Sequence, residues 1–111
     1  MSQVPEWITP SKVAAEIKKT HLTRDEAAKL VELMARFREG RTLPRDHKPL
    51  RDGVEELRLS GQRRTFRLYF GRLDDGLVLL ALRFNIKKKQ NDRLGVDLAA
   101  VRLKQWRGSG Q

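Results

Sequence analysis

Lys48-Pro49-Leu50-Arg51-Asp52-Gly53-Val54-Glu55-Glu56-Leu57-Arg58, Arg64-Thr65-Phe66-Arg67-Leu68-Tyr69-Phe70 and Leu77-Val78-Leu79-Leu80-Ala81-Leu82-Arg83-Phe84-Asn85-Ile86-Lys87-Lys88-Lys89-Gln90 are the three runs on which the reading of this chain turns. Their period is 2 rather than 3.6, which marks strands. A first strand is expected over residues 54–59 and a second over 63–71. In the second, Phe66, Leu68 and Phe70 share one face, and Thr65, Arg67 and Tyr69 the other. Asp74-Asp75-Gly76 is a hairpin turn signal. Residues 77–84 are nearly all apolar, as befits a strand covered on both faces or lying centrally. Each strand begins or ends in arginine or lysine, so the sheet is expected to carry a cationic face.

Upstream, the period is helical. Thr9 and Pro10 fit an N-cap and first helical position, and Val13, Ile17 and His21 recur every four residues, predicting a helix over about 10–20. Thr23-Arg24-Asp25-Glu26 is a capping box. Ala27, Leu30, Val31, Met34 and Phe37 extend it as an amphipathic helix ending near Glu39, with Gly40 at the C-cap. Residues 41–53, punctuated by Pro44, Pro49 and Gly53, read as a loop. A last helix is expected over about 92–106, with Leu94, Leu98 and Val101 on its apolar stripe and Gly95 weakening its start. Trp7 and Trp106 read as packing residues, and residues 1–9 are too short and poorly patterned to predict a strand. The fold class is α+β: two N-terminal helices, a small twisted antiparallel sheet of three or more strands, and a C-terminal helix. Helices on one face of such a sheet would leave the other for a partner. A single domain is expected over 1–107, with a disordered tail at 108–111.

Composition narrows the function classes. The chain has 111 residues and a net charge of +10. Residues 1–40 hold 7 Lys/Arg and 6 Asp/Glu, a balance of +1; residues 41–111 hold 17 and 8, a balance of +9. That asymmetry favours an anionic partner, nucleic acid or acidic protein, over a basic surface kept only for solubility. There is no cysteine, which excludes disulfides and cysteine-ligated zinc and fits a reducing compartment. His21 and His47 are too few for a usual metal site. No apolar run approaches the ~20 residues that span a bilayer. The opening MSQVPEWITP lacks the layout of a signal peptide, so a soluble cytoplasmic protein is expected, without membrane contact.

Lys48, Leu50, Gly53 and Glu56-Leu57-Arg58, then Phe66-Arg67-Leu68-Tyr69, then Leu79-Leu80 with Phe84-Asn85-Ile86-Lys87-Lys88-Lys89-Gln90, then the helical residues 97–103, occur in that order. Together they resemble the RelE/HigB-type toxins of bacterial toxin–antitoxin modules, in particular the phage-associated HigB-like branch of the RelE/ParE superfamily. The resemblance covers about residues 40–107. It implies the RelE-like microbial RNase fold and cleavage of mRNA in the ribosomal A site, with the RNA 2′-OH as nucleophile and neither metal nor other cofactor. It implies the ribosome and mRNA as partners, together with a cognate antitoxin, HigA-like or another helix-turn-helix protein. Two features depart from the pattern. The family opens with a strand, which residues 1–9 do not predict. Its closing motif has one residue between Phe and the lysines, where this chain has Asn85 and Ile86; a bulge, or a shift among Lys87, Lys88 and Lys89, is expected there.

Such cleavage asks the protein to remove the 2′-OH proton, help the 5′-oxygen leave and neutralise the charge gathering on the phosphorane. Preorganised cations suit the last task. On this resemblance Arg67 and Arg83 are candidate phosphate contacts. Lys87 and Lys88 could position the backbone or, with pKa lowered by neighbouring cations, exchange protons. Tyr69 could stack or donate its hydroxyl, and His47 is the imidazole that could titrate near the site. Lys48, Arg58, Arg63, Arg64 and Lys89 complete the nucleic-acid-binding set. Each has a plainer reading: Arg58 pairs with Glu56, Arg67 is merely solvated, the lysine run is generic, His47 is an exposed loop residue, and Tyr69 is core. The competing function class is a non-catalytic inhibitor or binding protein on the same scaffold, either a ParE-like gyrase inhibitor or a diverged phage copy.

Overall fold

The computed structural model describes residues 4–88 and 90–109. At the start of two of the helices a side chain serves the orphaned backbone. Thr23 Oγ1 accepts the Glu26 N–H at 3.1 Å and Glu26 Oε1 accepts the Thr23 N–H at 2.9 Å, so the capping box opens α2 (Arg24–Arg38). α1 (Ser11–Lys19) corrects the expected Thr9 cap: Pro10, in extended conformation, is itself the N-cap and the helix opens without a side-chain cap. α3 (Arg93–Ser109) follows Asp92, whose carboxylate caps it by accepting the Gly95 N–H at 3.1 Å. Gly108 and Ser109 belong to α3 rather than to a tail; Gly110 and Gln111 lie outside the described residues.

The strands β1 (Glu6–Ile8), β2 (His47–Pro49), β3 (Glu55–Ser60), β4 (Thr65–Leu73) and β5 (Val78–Ile86) form one sheet in the order β1-β5-β4-β3-β2. Neighbours are antiparallel except β1, which runs parallel to β5, so the fold is α+β with a mixed sheet. The three long strands match the sequence reading to within about two residues. The two short ones correct it. Residues 6–8 pair with Val78, Leu79 and Leu80, and residues 47–49, read as loop, pair with Leu57, Glu56 and Glu55. Three residues are too few for a period of 2 to declare itself; open edges of the sheet recruit them.

A bulge sets the faces of β5. Tyr69 pairs with Arg83 but Phe70 with Ala81, so Leu82 is an extra residue. Before it, Leu79 and Ala81 face α1 and α2 while Leu80 and Leu82 face α3. Beyond it, Phe84 and Ile86 pack on the α1/α2 side, which turns Arg83 and Asn85 toward the α3 side. The irregularity expected between Phe84 and Lys87 is absent: Phe84, Asn85 and Ile86 pair in register with Leu68, Arg67 and Phe66.

Helices cover both faces, not one. Phe66, Leu68 and Phe70 bury against Val13 of α1 and Leu30 and Leu33 of α2. Tyr69, Leu80 and Leu82 bury against Ala99 and Leu103 of α3. A Cβ on Gly71 would lie 2.8 Å from Leu103 Cδ1, so glycine lets α3 sit close on β4. The buried side of α3 is Val96, Ala99, Ala100 and Leu103; the expected stripe faces outward, with Leu94 80% exposed. In α2 the exposed Val31 and Ala27 give way to Leu33 and the buried Glu26. Trp7 packs edge-on against Phe70 and donates its indole N–H to Met34 O at 2.8 Å, whereas Trp106 is exposed. Among the described residues no helix is long and apolar enough to cross a membrane.

Candidate functional site

At the N-terminal end of α3 the sheet face beneath it turns polar. Two cross-strand rows lie side by side there: Glu56, Tyr69 and Arg83, then Arg58, Arg67 and Asn85. Two guanidiniums directly opposite each other repel. Glu56, itself buried, relieves this: its Oε1 accepts from Arg58 Nη2 at 3.1 Å and its Oε2 lies 3.7 Å from Arg67 Nε. Arg67 is only 2% exposed and donates from Nη2 to Gln90 O at 2.8 Å. It therefore ties the sheet to the loop after β5.

Asp92 fastens the far end of that loop. Its Oδ2 accepts from the Tyr69 hydroxyl at 2.8 Å and from Asn85 Nδ2 at 2.9 Å, while Oδ1 takes the Gly95 N–H. Burial pushes the Asp92 carboxyl up, but bonds from Asn85, Tyr69 and the Gly95 backbone outweigh it and hold the group below its ordinary value. Burial and the Asp92 carboxylate push the Tyr69 phenol well above its usual range. A Cβ on Gly95 would collide with the Asp92 carboxylate, which explains a glycine in the first turn of a helix. At the near end of the loop, the Lys87 N–H donates to Thr65 O at 2.7 Å. The lysine segment is thus held at both ends.

Beside it, Arg63, Arg64, Lys87 and Lys88 line a groove of about 380 Å³ with Thr65, Ile86 and Gln90; no carboxylate lines it. Arg64 is engaged elsewhere, donating to Glu26 Oε1 at 2.5 Å and Thr20 O at 3.0 Å, and its guanidinium holds the Glu26 carboxyl below its ordinary value. Among the described residues no ion pair engages Arg63, Lys87 or Lys88.

No known family model matches this chain, and no curated protein matches it.

The structure divides the candidates that the sequence put forward together. Arg63, Arg64, Lys87 and Lys88 meet in the groove, and Lys89 lies outside the described residues. Arg67 and Tyr69 are corrected from an outward face to a buried one, because alternation separates two faces without saying which meets water. At 1% exposure Tyr69 has no open ring face on which a base could stack. Arg58 pairs with Glu56, the plainer of its two readings. Arg83 Nη1 lies 3.8 Å from Glu16 Oε2, on a carboxylate that also accepts from Arg102 and from the Phe84 N–H. Lys48 is exposed on β2 opposite Glu56. His47 is on the other face of the sheet: its Nε2 is 2.8 Å from Glu55 Oε1 and its ring is 4.8 Å from that of Phe37. Among the described residues no three His, Asp or Glu side chains gather to hold a metal ion. Glu56, Asn85, Gln90 and Asp92 were not legible as site residues. The Asn91-Asp92 pair ahead of a helical run is the one signal that could have pointed to a cap.

Proposed function

We propose that the chain is the toxin of a RelE/HigB-type toxin–antitoxin module, a cytoplasmic mRNA endonuclease that acts on ribosome-bound message through the RNA 2′-OH. The observation that carries this reading is the convergence of Arg63, Lys87 and Lys88 in one carboxylate-free groove, on a loop fastened by Arg67 and Asp92. Attack by the 2′-oxygen builds negative charge on a five-coordinate phosphorus. Cations fixed in advance stabilise that charge without reorganising. Lys87 and Lys88 are also the groove residues able to exchange a proton with the 2′-oxygen or the leaving 5′-oxygen. Two further observations support the reading. β1 supplies the opening strand that the resemblance calls for, and an α+β fold with a five-stranded sheet is compatible with a RelE-like RNase fold. The +9 balance of residues 41–111 suits a ribosomal partner and a cognate helix-turn-helix antitoxin with acidic segments.

A second reading, a non-catalytic binder on this scaffold such as a ParE-like inhibitor, is favoured by one feature. Tyr69 is buried and His47 lies across the sheet, so neither reaches the groove as an acid or base. Induced expression with mapping of mRNA 5′ ends separates the two. New ends within translated frames, absent with the Lys87→Ala/Lys88→Ala protein, are the expected result. Growth arrest without new ends would favour the binder, and no arrest in any host carrying the gene without its neighbour would remove the toxin reading.

A further inference from the structure

We infer that the outer edge of β3 is a docking site for an extended acidic segment of another protein. This does not rest on the nuclease reading. β3 is six residues long, yet β2 pairs only with Glu55, Glu56 and Leu57. Arg58, Leu59 and Ser60 therefore have no strand along their outer edge; the turn at residues 44–46 lies beside β3 there without pairing with it as a strand, and an unpaired edge is a template for an added strand. A groove of about 650 Å³ follows this edge, between α2 and the 3₁₀ turn Pro44–Asp46. Leu33, Leu43 and Leu59 give it apolar footing, with Leu43 41% exposed. Its charged lining is Lys29, Arg36, Arg45 and Arg58 against Glu32 and Asp46; Arg36 and Glu32 pair with each other at 2.9 Å and Arg58 with Glu56 at 3.1 Å, which leaves Lys29 and Arg45 as the lining cations in no ion pair among the described residues. Arg58 Nε is buried without a hydrogen-bond partner among the described residues.

An extended peptide answers all of these features at once. Its main chain pairs with β3, alternate apolar side chains rest on the leucines, and the carboxylates between them meet the cations. A nucleic acid would satisfy the cations but not the strand edge or the leucines. A second copy of the chain would bring another net +10 against this edge, and like charge opposes that contact.

The test is an NMR titration of the full chain with a short synthetic peptide alternating valine and glutamate. The expected result is saturable shifts at the Arg58, Leu59 and Ser60 amides, with slowed exchange at Arg58 and Ser60, whose N–H groups point to the outer edge. Leu43→Glu and Arg45→Glu, both at exposed positions, should weaken binding by roughly tenfold or more, about 1.4 kcal/mol, with an unchanged circular dichroism spectrum. A peptide with lysine in place of glutamate should not bind. The Lys87→Ala/Lys88→Ala protein should bind the acidic peptide as the parent does, so this inference and the nuclease reading fail separately. Absence of shifts at millimolar peptide overturns the proposal, as does equal binding of the lysine peptide. A uridine oligonucleotide shifting the same amides, or self-association protecting them, would overturn it in favour of those occupants.

Discussion

Arg67 links a buried carboxylate to the carbonyl of Gln90, so its removal acts on folding before it acts on any ligand. Breaking a buried pair from one side costs about 3–5 kcal/mol. Arg58 still reaches Glu56, which puts the expected loss for Arg67→Ala near the lower end, about 3 kcal/mol in urea denaturation. A loss within about 0.5 kcal/mol, the range of surface changes, would return Arg67 to the surface. Lys87 and Lys88 are the opposite case, since no ion pair holds them among the described residues. Lys87→Ala/Lys88→Ala should leave stability within about 0.5 kcal/mol. Its log–log salt slope for binding single-stranded RNA should flatten by about 0.7 for each phosphate that the variant no longer neutralises, as read by filter binding at rising salt. A slope equal to that of the parent would take both lysines out of the interface.

α3 is the element on which sequence and structure differ most. Its apolar residues fall on both sides, so Leu94, Leu98 and Val101 make as good a stripe on paper as Val96, Ala99 and Leu103. Gly71 decides the matter, because the room left by its missing Cβ is filled by the Leu103 side chain. Leu103→Ala is accordingly expected to cost about 2–5 kcal/mol, and Leu94→Ala within about 0.5 kcal/mol, by thermal or denaturant unfolding. Equal effects would mean that the helix is rolled the other way. The cap expected at Thr9 is not formed and Pro10 stands in its place, whereas the α2 capping box and the β4–β5 turn were legible because each is set by residues a few positions apart. β1 and β2 were not, since their pairing depends on partners far along the chain. The same holds for the Asp92 hub, which joins β4, β5 and α3. Its carboxyl is held below its ordinary value, so its contribution is present above the unfolded carboxylate range and lost as pH falls through the depressed value. The melting temperature of the parent should therefore fall toward that of Asp92→Asn on acidification. A gap between the two that stays constant with pH would show that Asp92 is not ionised in the fold.

With helices on both faces, the sheet has no open face left to offer a partner among the described residues. The net charge is concentrated in residues 41–111, which build β2 to α3. Co-sedimentation with ribosomes should weaken steeply with salt, and affinity indifferent to salt would remove the electrostatic argument. Which cations reach that surface depends on the single extra residue Leu82. Ahead of it the strand is in one phase, and after it in the other. The consequence is genetic. Deleting one codon at Leu82 would remove the bulge yet leave Phe84 and Ile86 on the α1/α2 side, whereas inserting one directly after Arg83 would turn Phe84 and Ile86 out of that core and aim Asn85 into it. A one-codon change in the turn at residues 61–64 or in the loop at 41–43 touches no such phase. Length variation along this chain is therefore expected to be tolerated at those loops and at Leu82, and to abolish folding on insertion between Arg83 and Ile86, a contrast that a library of single-codon insertions and deletions scored for folded protein would read directly.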